Sequence, residues 1–203
     1  MKMNQLNRYM MAAALTLAGM SAASARELPA PQTTGGKPLM EVIGDRHSSR
    51  DFDSTKTVTA QELSNILWSA WGVTHDGKRT VATALNRQEL KIYVITKSEI
   101  SQYDAEKQAL NTVATGDYRS LAGAQPFAKT APVNIVFVAD AKKQDKIEFQ
   151  AYAAGAASQN VYLYCANAGL KTVLRASFDK QALAKALNLS ADETPLFVQT
   201  VGR

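Results

Sequence analysis

The amino-acid sequence predicts one domain of mixed helices and strands, of either the α/β or the α+β class. Helical and strand-like segments interleave along the chain without an internal repeat, and 46% of the residues are hydrophobic. If the first 25 residues are set aside, the remaining 178 suffice for one ordinary domain with a buried core. We therefore expect one folded unit in which helices cover a sheet.

The first 25 residues are predicted to be an export signal. Lys2 and Arg8 precede the apolar stretch YMMAAALTLAGM, which is too short to span a bilayer as a helix, and the tripeptide ASA ends at Ala25. We expect a mature chain that begins at Arg26 and is periplasmic or secreted. Residues 26–37 are rich in Pro, Gly and Thr and are predicted to form an extended arm before the domain of residues 38–203.

The charged and metal-binding residue types argue against several function classes. Without the signal, 21 basic and 18 acidic residues remain, and they are scattered without a Lys/Arg block, so we expect no nucleic-acid binding. His47 and His75 are the two histidines, so no metal cluster is expected. Cys165 lies in an apolar helical stretch and is predicted to be a buried, inert thiol.

Two helices are predicted in the first half of the domain. LMEVIGDR, from Leu39, has helical spacing of its apolar residues. TAQELSNILWSAWGV is a stronger helix, because Thr59 and Glu62 match a capping box. Its apolar face comprises Leu63, Ile66, Leu67 and Trp71, and we expect both Trp68 and Trp71 to be core residues. A turn follows at Asp76-Gly77.

Strand signals dominate the middle of the chain. LKIYVIT alternates and is rich in β-branched residues, so residues 90–96 are predicted to be a strand. Residues 101–114, SQYDAEKQALNTVA, are ambiguous between helix and hairpin, and the YDAEK turn favours the hairpin. PVNIVFVAD, residues 132–140, is a nearly continuous apolar run and indicates a strand buried on both faces.

The last third of the chain alternates between helix and strand. Residues 147–170 predict a long, mostly buried helix rich in small residues, which Gly169 ends. KTVLRAS is a short strand or extended piece, and DKQALAKALNL is an amphipathic helix that begins near Asp179. PLFVQTVG, residues 195–202, is predicted to be a closing strand.

The segment RHSSRDF, Arg46–Phe52, is a candidate anion-binding site. In an extended chain Arg46, Ser48 and Arg50 point to one side, while His47 and Ser49 point to the other. Two guanidinium groups and a hydroxyl then form a fork of donors suited to phosphate, because each guanidinium can bind two oxygens at once. The residues alone leave a second interpretation open, namely a solvated polar turn.

RHSSRDF resembles the Arg-x-Ser-x-basic-x-Phe run that follows the first helix in the nitroreductase family of FMN-dependent enzymes. Further resemblances follow in the same order: ELSNILWSAWG, RTVATALNRQELKIYVI, PVNIVFVAD, AAGAASQNVYLYCANAGLKTVLRASF and FVQTVG. They cover the chain from about Pro38 onwards. The middle segment is most similar to the branch that contains peptide thiazoline and oxazoline oxidases.

The resemblance implies an α+β fold with a central, mainly antiparallel sheet flanked by helices. It also implies a homodimer whose two FMN sites lie at the subunit interface. Arg46, Ser48 and Arg50 would contact the FMN phosphate and ribityl chain or the pyrimidine edge, with His47 nearby.

The resemblance assigns further residues to the flavin ring. Those of the middle segment are expected against the ring or shaping the loop beside it: Ala82, Thr83, Ala84, Asn86 and Gln88. The backbone amides of Ala176 and Ser177 would approach flavin N5 and O4. Arg175 would support the pyrimidine side or pair with an acid on the surface.

Two departures from the family pattern affect this assignment. Val81-Ala82 stands where many relatives have Ala-Pro, which is expected to loosen that loop. The chain stops at TVGR, so Arg203 either replaces a phosphate contact made by a longer tail or belongs to a fraying terminus.

The implied activity is that of an FMN-dependent oxidoreductase, in which hydride passes through flavin N5 in a ping-pong cycle. The sequence has no Ser/His/Asp or paired-carboxylate constellation, which is consistent with a cofactor that carries the chemistry. Because NAD(P)H pools are cytoplasmic, an exported member is expected to use a small-molecule or peptide substrate or a membrane electron donor. Two alternatives are an FMN-binding envelope module without turnover and an interaction protein without cofactor.

Overall fold

The structure, a computed structural model, describes residues 25–203. Its sheet has seven strands in the order β1-β4-β3-β2-β5-β7-β6, and every neighbouring pair is antiparallel. The strands are β1 Ala25–Glu27, β2 Leu90–Ile95, β3 Glu99–Asp104, β4 Ala109–Thr115, β5 Val133–Asp140, β6 Lys171–Arg175 and β7 Glu193–Gly202. The predicted α+β class with an antiparallel sheet is confirmed. The predicted export signal falls almost wholly on residues 1–24, outside the described residues.

Five α-helices accompany the sheet in the described part of the chain: α1 Leu39–Asp45, α2 Ala60–Trp71, α3 Pro126–Thr130, α4 Ile147–Ala168 and α5 Lys180–Ala186. The predicted capping box of α2 is confirmed, because the Thr59 hydroxyl accepts from the Glu62 N–H while the Glu62 carboxylate accepts from the Thr59 N–H. Gly169 ends α4 with a left-handed φ of 67°, as its position predicted. No helix among residues 25–203 is long and apolar enough to cross a membrane.

Two apolar clusters lie on opposite faces of the sheet, and β5 contributes to both. Ile135 and Phe137 pack with α2 and α4 on one face, and Val136 and Val138 pack with Leu183 of α5 on the other. The predicted double burial of this strand is therefore confirmed. Of the two tryptophans expected in the core, Trp71 is buried and Trp68 is half-buried.

Strands also form in two segments whose predictions were less definite: the one left between helix and hairpin, and the one predicted to be an extended arm. Residues 99–115 form the β3–β4 hairpin that the YDAEK turn favoured. The start of the predicted extended arm pairs with β4, with Arg26 opposite Leu110. A strand of three residues carries too little alternation to be recognised from sequence, and its pairing partner is more than eighty residues away.

Candidate functional site

The segment after α1 lies against α4 and β6. The Ser48 hydroxyl is 2.8 Å from the Tyr162 hydroxyl, and the Arg46 guanidinium lies 5.2 Å from the centre of the Tyr162 ring. The Ser49 N–H donates to the Thr172 carbonyl at 2.9 Å, which fixes the segment beside the start of β6. Arg46 and Ser48 thus meet the same tyrosine, in agreement with the predicted alternation.

The remaining residues of the segment differ in whether they have partners. A ring nitrogen of His47, Nδ1, is 2.8 Å from the Asp45 carbonyl oxygen, so the imidazole turns back towards α1. Asp51 forms an ion pair with Lys171 at 3.2 Å. Arg50 is exposed and makes no hydrogen bond or ion pair within residues 25–203. Its guanidinium is therefore free to meet an anion.

The loop of residues 82–88 is organised by Gln88. Its side-chain oxygen accepts from Arg79 Nε at 2.8 Å, and its amide nitrogen donates to the Gly77 carbonyl at 3.1 Å and to Asn86 Oδ1 at 3.2 Å. The Gln88 N–H donates to the Thr83 hydroxyl at 3.0 Å. Gln88 therefore holds the loop on both sides, while Ala82 and Ala84 carry no polar side chain.

The same loop contains left-handed backbone at residues other than glycine. Leu85, Asn86 and Gln88 have φ values of 54°, 53° and 49°. Asn tolerates this region, but leucine does so at a cost of about 1–3 kcal/mol. The Leu85 side chain is also 84% exposed, so burial does not offset the strain. Such strain is concentrated at functional sites, and nothing in the sequence pattern marked Leu85.

An open apolar pocket of about 440 Å³ lies beside this loop. It is lined by Ala82, Thr83, Ala84, Glu148, Phe149 and Tyr152, the last three from the first turns of α4. Tyr152 precedes Tyr162, which contacts Ser48, by ten residues, or about 15 Å along a helix. The loop and the Arg46–Arg50 segment therefore meet different parts of α4.

The segment after β6 is exposed and carries free amides. The Ser177 hydroxyl accepts from Gln125 Nε2 at 2.7 Å, and the Ser177 carbonyl accepts from the Ala124 N–H at 3.3 Å. In the described part of the chain, neither the Ala176 N–H nor the Ser177 N–H has an acceptor. The segment is thus anchored through its oxygens while its two N–H groups remain available.

Arg175 is buried beneath this segment and is not paired with an acid. Its Nη1 donates to the Ala122 carbonyl at 2.8 Å, and its Nη2 donates to Asn134 Oδ1 at 3.2 Å and to the Thr200 hydroxyl at 2.5 Å. Burial lowers the pKa of Arg175 to about 10. The alternative of a surface ion pair was wrong, because the residue is 7% exposed and its acceptors are neutral.

The C-terminal Arg203 is held in place. Its guanidinium pairs with the Glu62 carboxylate and donates to the Thr57 carbonyl at 3.3 Å, while its own carbonyl accepts from the Asp53 N–H at 2.6 Å. Burial opposes the ionisation of Glu62, but hydrogen bonds from Thr59 and the pairing with Arg203 still lower its pKa. The fraying alternative was therefore wrong. In this structure Arg203 links β7 to the start of α2.

Comparisons with known proteins identify the family of the chain. Residues 43–203 match the Nitroreductase family. The chain belongs to the nitroreductase family. It is 29% identical over 182 residues to a nitroreductase-family protein of Methanocaldococcus jannaschii. The matched region covers 81% of this chain and 90% of that protein.

Solved structures show the same fold. A nitroreductase-family crystal structure from Ralstonia eutropha JMP134 is 36% identical, covers 90% of each chain and has a TM-score of 0.83. One from Desulfovibrio desulfuricans, determined in complex with FMN, is 22% identical, covers 83% of this chain and 87% of that chain, and has a TM-score of 0.61.

The described residues fit an FMN molecule by their chemistry. A phosphate needs cationic and hydroxyl donors, and Arg50 is an unpartnered cation beside Ser48. The oxygens and nitrogens at the edge of a flavin ring need N–H donors, and Ala176 and Ser177 each have a free amide. No group of three or more His, Cys, Asp or Glu residues within residues 25–203 could hold a metal ion.

Proposed function

We propose that this chain is an FMN-dependent oxidoreductase of the nitroreductase family, with hydride passing through flavin N5 in a ping-pong cycle. One observation carries the proposal: free donors stand at both ends of β6, which is an edge strand. The Arg50 segment is tied to Thr172 near its start, and the free amides of Ala176 and Ser177 follow its end. Thr172 and Ala176 are about 13 Å apart along an extended strand, so one elongated ligand with an anionic end can meet both.

In this proposal each part of the chain has one task. Arg46, Ser48 and Arg50 hold the phosphate end, and Tyr162 fixes Ser48 in position. The amides of Ala176 and Ser177 bind the polar edge of the ring. When bound, FMN supplies hydride transfer, and the protein contributes binding, orientation and positive charge rather than an acid–base pair.

We further propose that the site is completed by a second copy of the chain. The loop of residues 82–88 and the Arg46–Arg50 segment contact α4 about 15 Å apart, which supports a site in which the loop reaches the flavin of a partner. Large apolar side chains on α1, on α4 and in the loop are exposed, which is typical of a surface that another subunit covers: Leu39, Met40, Ile43, Leu85, Ile147, Phe149 and Tyr152.

The substrate class and the location belong to the proposal as well. The resemblance of RTVATALNRQEL to the peptide thiazoline and oxazoline oxidase branch favours a peptide or a small heterocyclic molecule. The signal-like start favours export, with electrons from a membrane partner rather than from cytoplasmic NAD(P)H. An FMN-binding module without turnover is the second candidate.

Absorption spectroscopy of the purified protein tests the proposal. We expect a yellow protein, or a colourless one that takes up FMN with one flavin per chain, whose colour is bleached by a reductant and restored by an acceptor. Stable colour without turnover would support the second candidate. A folded protein that does not bind added FMN would contradict both the oxidoreductase and the FMN-binding module. Light scattering at several concentrations tests the dimer, and a flavin-loaded monomer would contradict it.

A further inference from the structure

Arg175 is a buried cation without an anionic partner. The acceptors of its hydrogen bonds are the Ala122 carbonyl, the side-chain oxygens of Asn134 and Gln125, and the Thr200 hydroxyl, all of them neutral. Its Nε has no acceptor within residues 25–203. A buried charge normally costs several kcal/mol unless it is paired, so an unpaired guanidinium needs a reason.

The position of Arg175 suggests that reason. It directly precedes Ala176 and Ser177, and it grips the loop that holds Ser177, because Nη1 is 3.4 Å from Gln125 Oε1 while Gln125 Nε2 donates to Ser177. A Cβ added at Gly123 would lie 1.8 Å from Nη1, so the loop closes directly on the guanidinium. Arg175 therefore supports the two free amides from beneath.

Arg175 also connects the two ends of the candidate site. Its guanidinium lies 5.2 Å from the centre of the Phe127 ring, and that ring lies 5.4 Å from the ring of Phe52. Phe52 follows Arg50 by two residues. One packed row of side chains thus runs from the amides after β6 to the arginine segment beside its start.

From these contacts we infer that Arg175 is a positioning residue of the flavin site, whose unpaired positive charge favours the reduced, anionic form of the bound flavin. The inference rests on the proposed function. Asn134 and Thr200 hold the charge without neutralising it, since both offer neutral oxygens. The negative charge that the flavin gains on reduction then becomes the missing counter-charge, which raises the reduction potential.

Three variants separate charge from packing. Arg175→Met removes the charge and keeps much of the volume, and Arg175→Lys keeps the charge but loses the fork. Asn134→Asp keeps Arg175 and places a carboxylate where Nη2 already finds an oxygen at 3.2 Å, so it neutralises the cation. It also removes the hydrogen bond that Asn134 Nδ2 donates to the Ala128 carbonyl at 2.9 Å, and thermal unfolding measures that loss separately. The readouts are the reduction potential of bound FMN, the FMN dissociation constant and thermal unfolding.

We expect Arg175→Met and Asn134→Asp each to shift the equilibrium between oxidised and reduced flavin about tenfold towards the oxidised form, which is about 30 mV for a two-electron couple. Arg175→Lys should stay within about threefold of the wild type. If Arg175→Met does not fold, the test is the reduction potential of bound FMN in Asn134→Asp compared with that in the wild type. A potential unchanged in Asn134→Asp, with or without a loss of stability in Arg175→Met, overturns the inference and leaves Arg175 a structural residue. A wild-type protein that takes up no FMN overturns the proposed function and this inference together.

Discussion

The hydroxyl oxygens of Ser48 and Tyr162 lie 2.8 Å apart, and the Tyr162 oxygen also accepts the N–H of Leu174 at 2.9 Å. The phenol group of Tyr162, which belongs to helix α4, therefore joins the segment after α1 to strand β6. Because Ser48 lies between Arg46 and Arg50, this group sets the position of the whole arginine segment relative to the amides that follow β6.

Replacing Tyr162 by Phe is expected to lower the free energy of unfolding by about 1–3 kcal/mol, because the Leu174 N–H and the Ser48 hydroxyl both lose their partner. Urea denaturation measures the change. Tyr152→Phe is the matched control, since Tyr152 lies on the same helix and its hydroxyl makes no hydrogen bond within residues 25–203, so this change is expected to alter stability by less than about 0.5 kcal/mol. Equal effects of the two substitutions would show that the bridge has no energetic importance.

Local sequence signals predicted most of the fold. The capping residues Thr59 and Glu62 marked the start of α2, Gly169 marked the end of α4, and unbroken apolar content marked β5 as buried on both faces. Each of these signals acts over a few residues and depends on backbone geometry that any context must satisfy. The resemblance to a known family supplied the antiparallel arrangement.

The contacts that build the candidate site were not predictable in the same way. Tyr162 is 114 residues from Ser48, and the acceptors of Arg175 come from separate loops and strands. Neither pairing leaves a local pattern, so Arg175 remained ambiguous and Tyr162 was read simply as part of an apolar helix. Left-handed backbone is usually adopted by glycine and seldom by leucine. The residue type at position 85 therefore gave no reason to predict this conformation.

The pair of Arg203 and Glu62 predicts a pH-dependent contribution to stability. The pKa of Glu62 is lowered in the folded state, so its stabilising effect is present above the ordinary value of 4.5 and is lost as the pH falls through the folded value. Arg203→Gln should therefore cost up to about 1 kcal/mol at pH 7 and less in acid. Glu62→Gln is the control, because it removes the charge that pairs with Arg203 while its side-chain oxygen can still accept the capping hydrogen bond. A cost that grows in acid would contradict this account.

Cys165 is expected to resist thiol reagents in the native protein. It is 1% exposed, and burial raises the pKa of its thiol above the ordinary 9.0, so the reactive thiolate is disfavoured. A disulfide reagent at pH 8 should label it at the rate of unfolding and label it rapidly in urea. Just above pH 9.0 the Cys165 thiol ionises in the unfolded protein but not in the folded one. The free energy of unfolding should therefore decline as the pH rises through this range. Fast stoichiometric labelling of the folded protein would refute the prediction.

Glu89 is fully buried, and neither of its carboxylate oxygens has a hydrogen-bond partner within residues 25–203. Replacing it by Met removes two unsatisfied polar atoms at similar volume, so the free energy of unfolding should stay level or rise by about 1–3 kcal/mol. Glu89→Gln, which stays polar, should gain less. Denaturant titration decides, and a loss of more than about 1 kcal/mol in the Met variant would contradict the absence of partners.

Flavin titration of the Arg46→Ala/Arg50→Ala double variant tests most directly whether Arg46 and Arg50 bind the phosphate of FMN, as we propose. If each arginine makes one charge-assisted hydrogen bond of about 1.5–3 kcal/mol, the double variant should bind FMN about a hundred-fold to ten-thousand-fold more weakly than the wild type. Riboflavin, which lacks the phosphate, should bind both proteins with similar affinity, and circular dichroism should show that the fold is retained. An unchanged FMN affinity in a folded double variant would contradict the claim and make RHSSR a solvated turn.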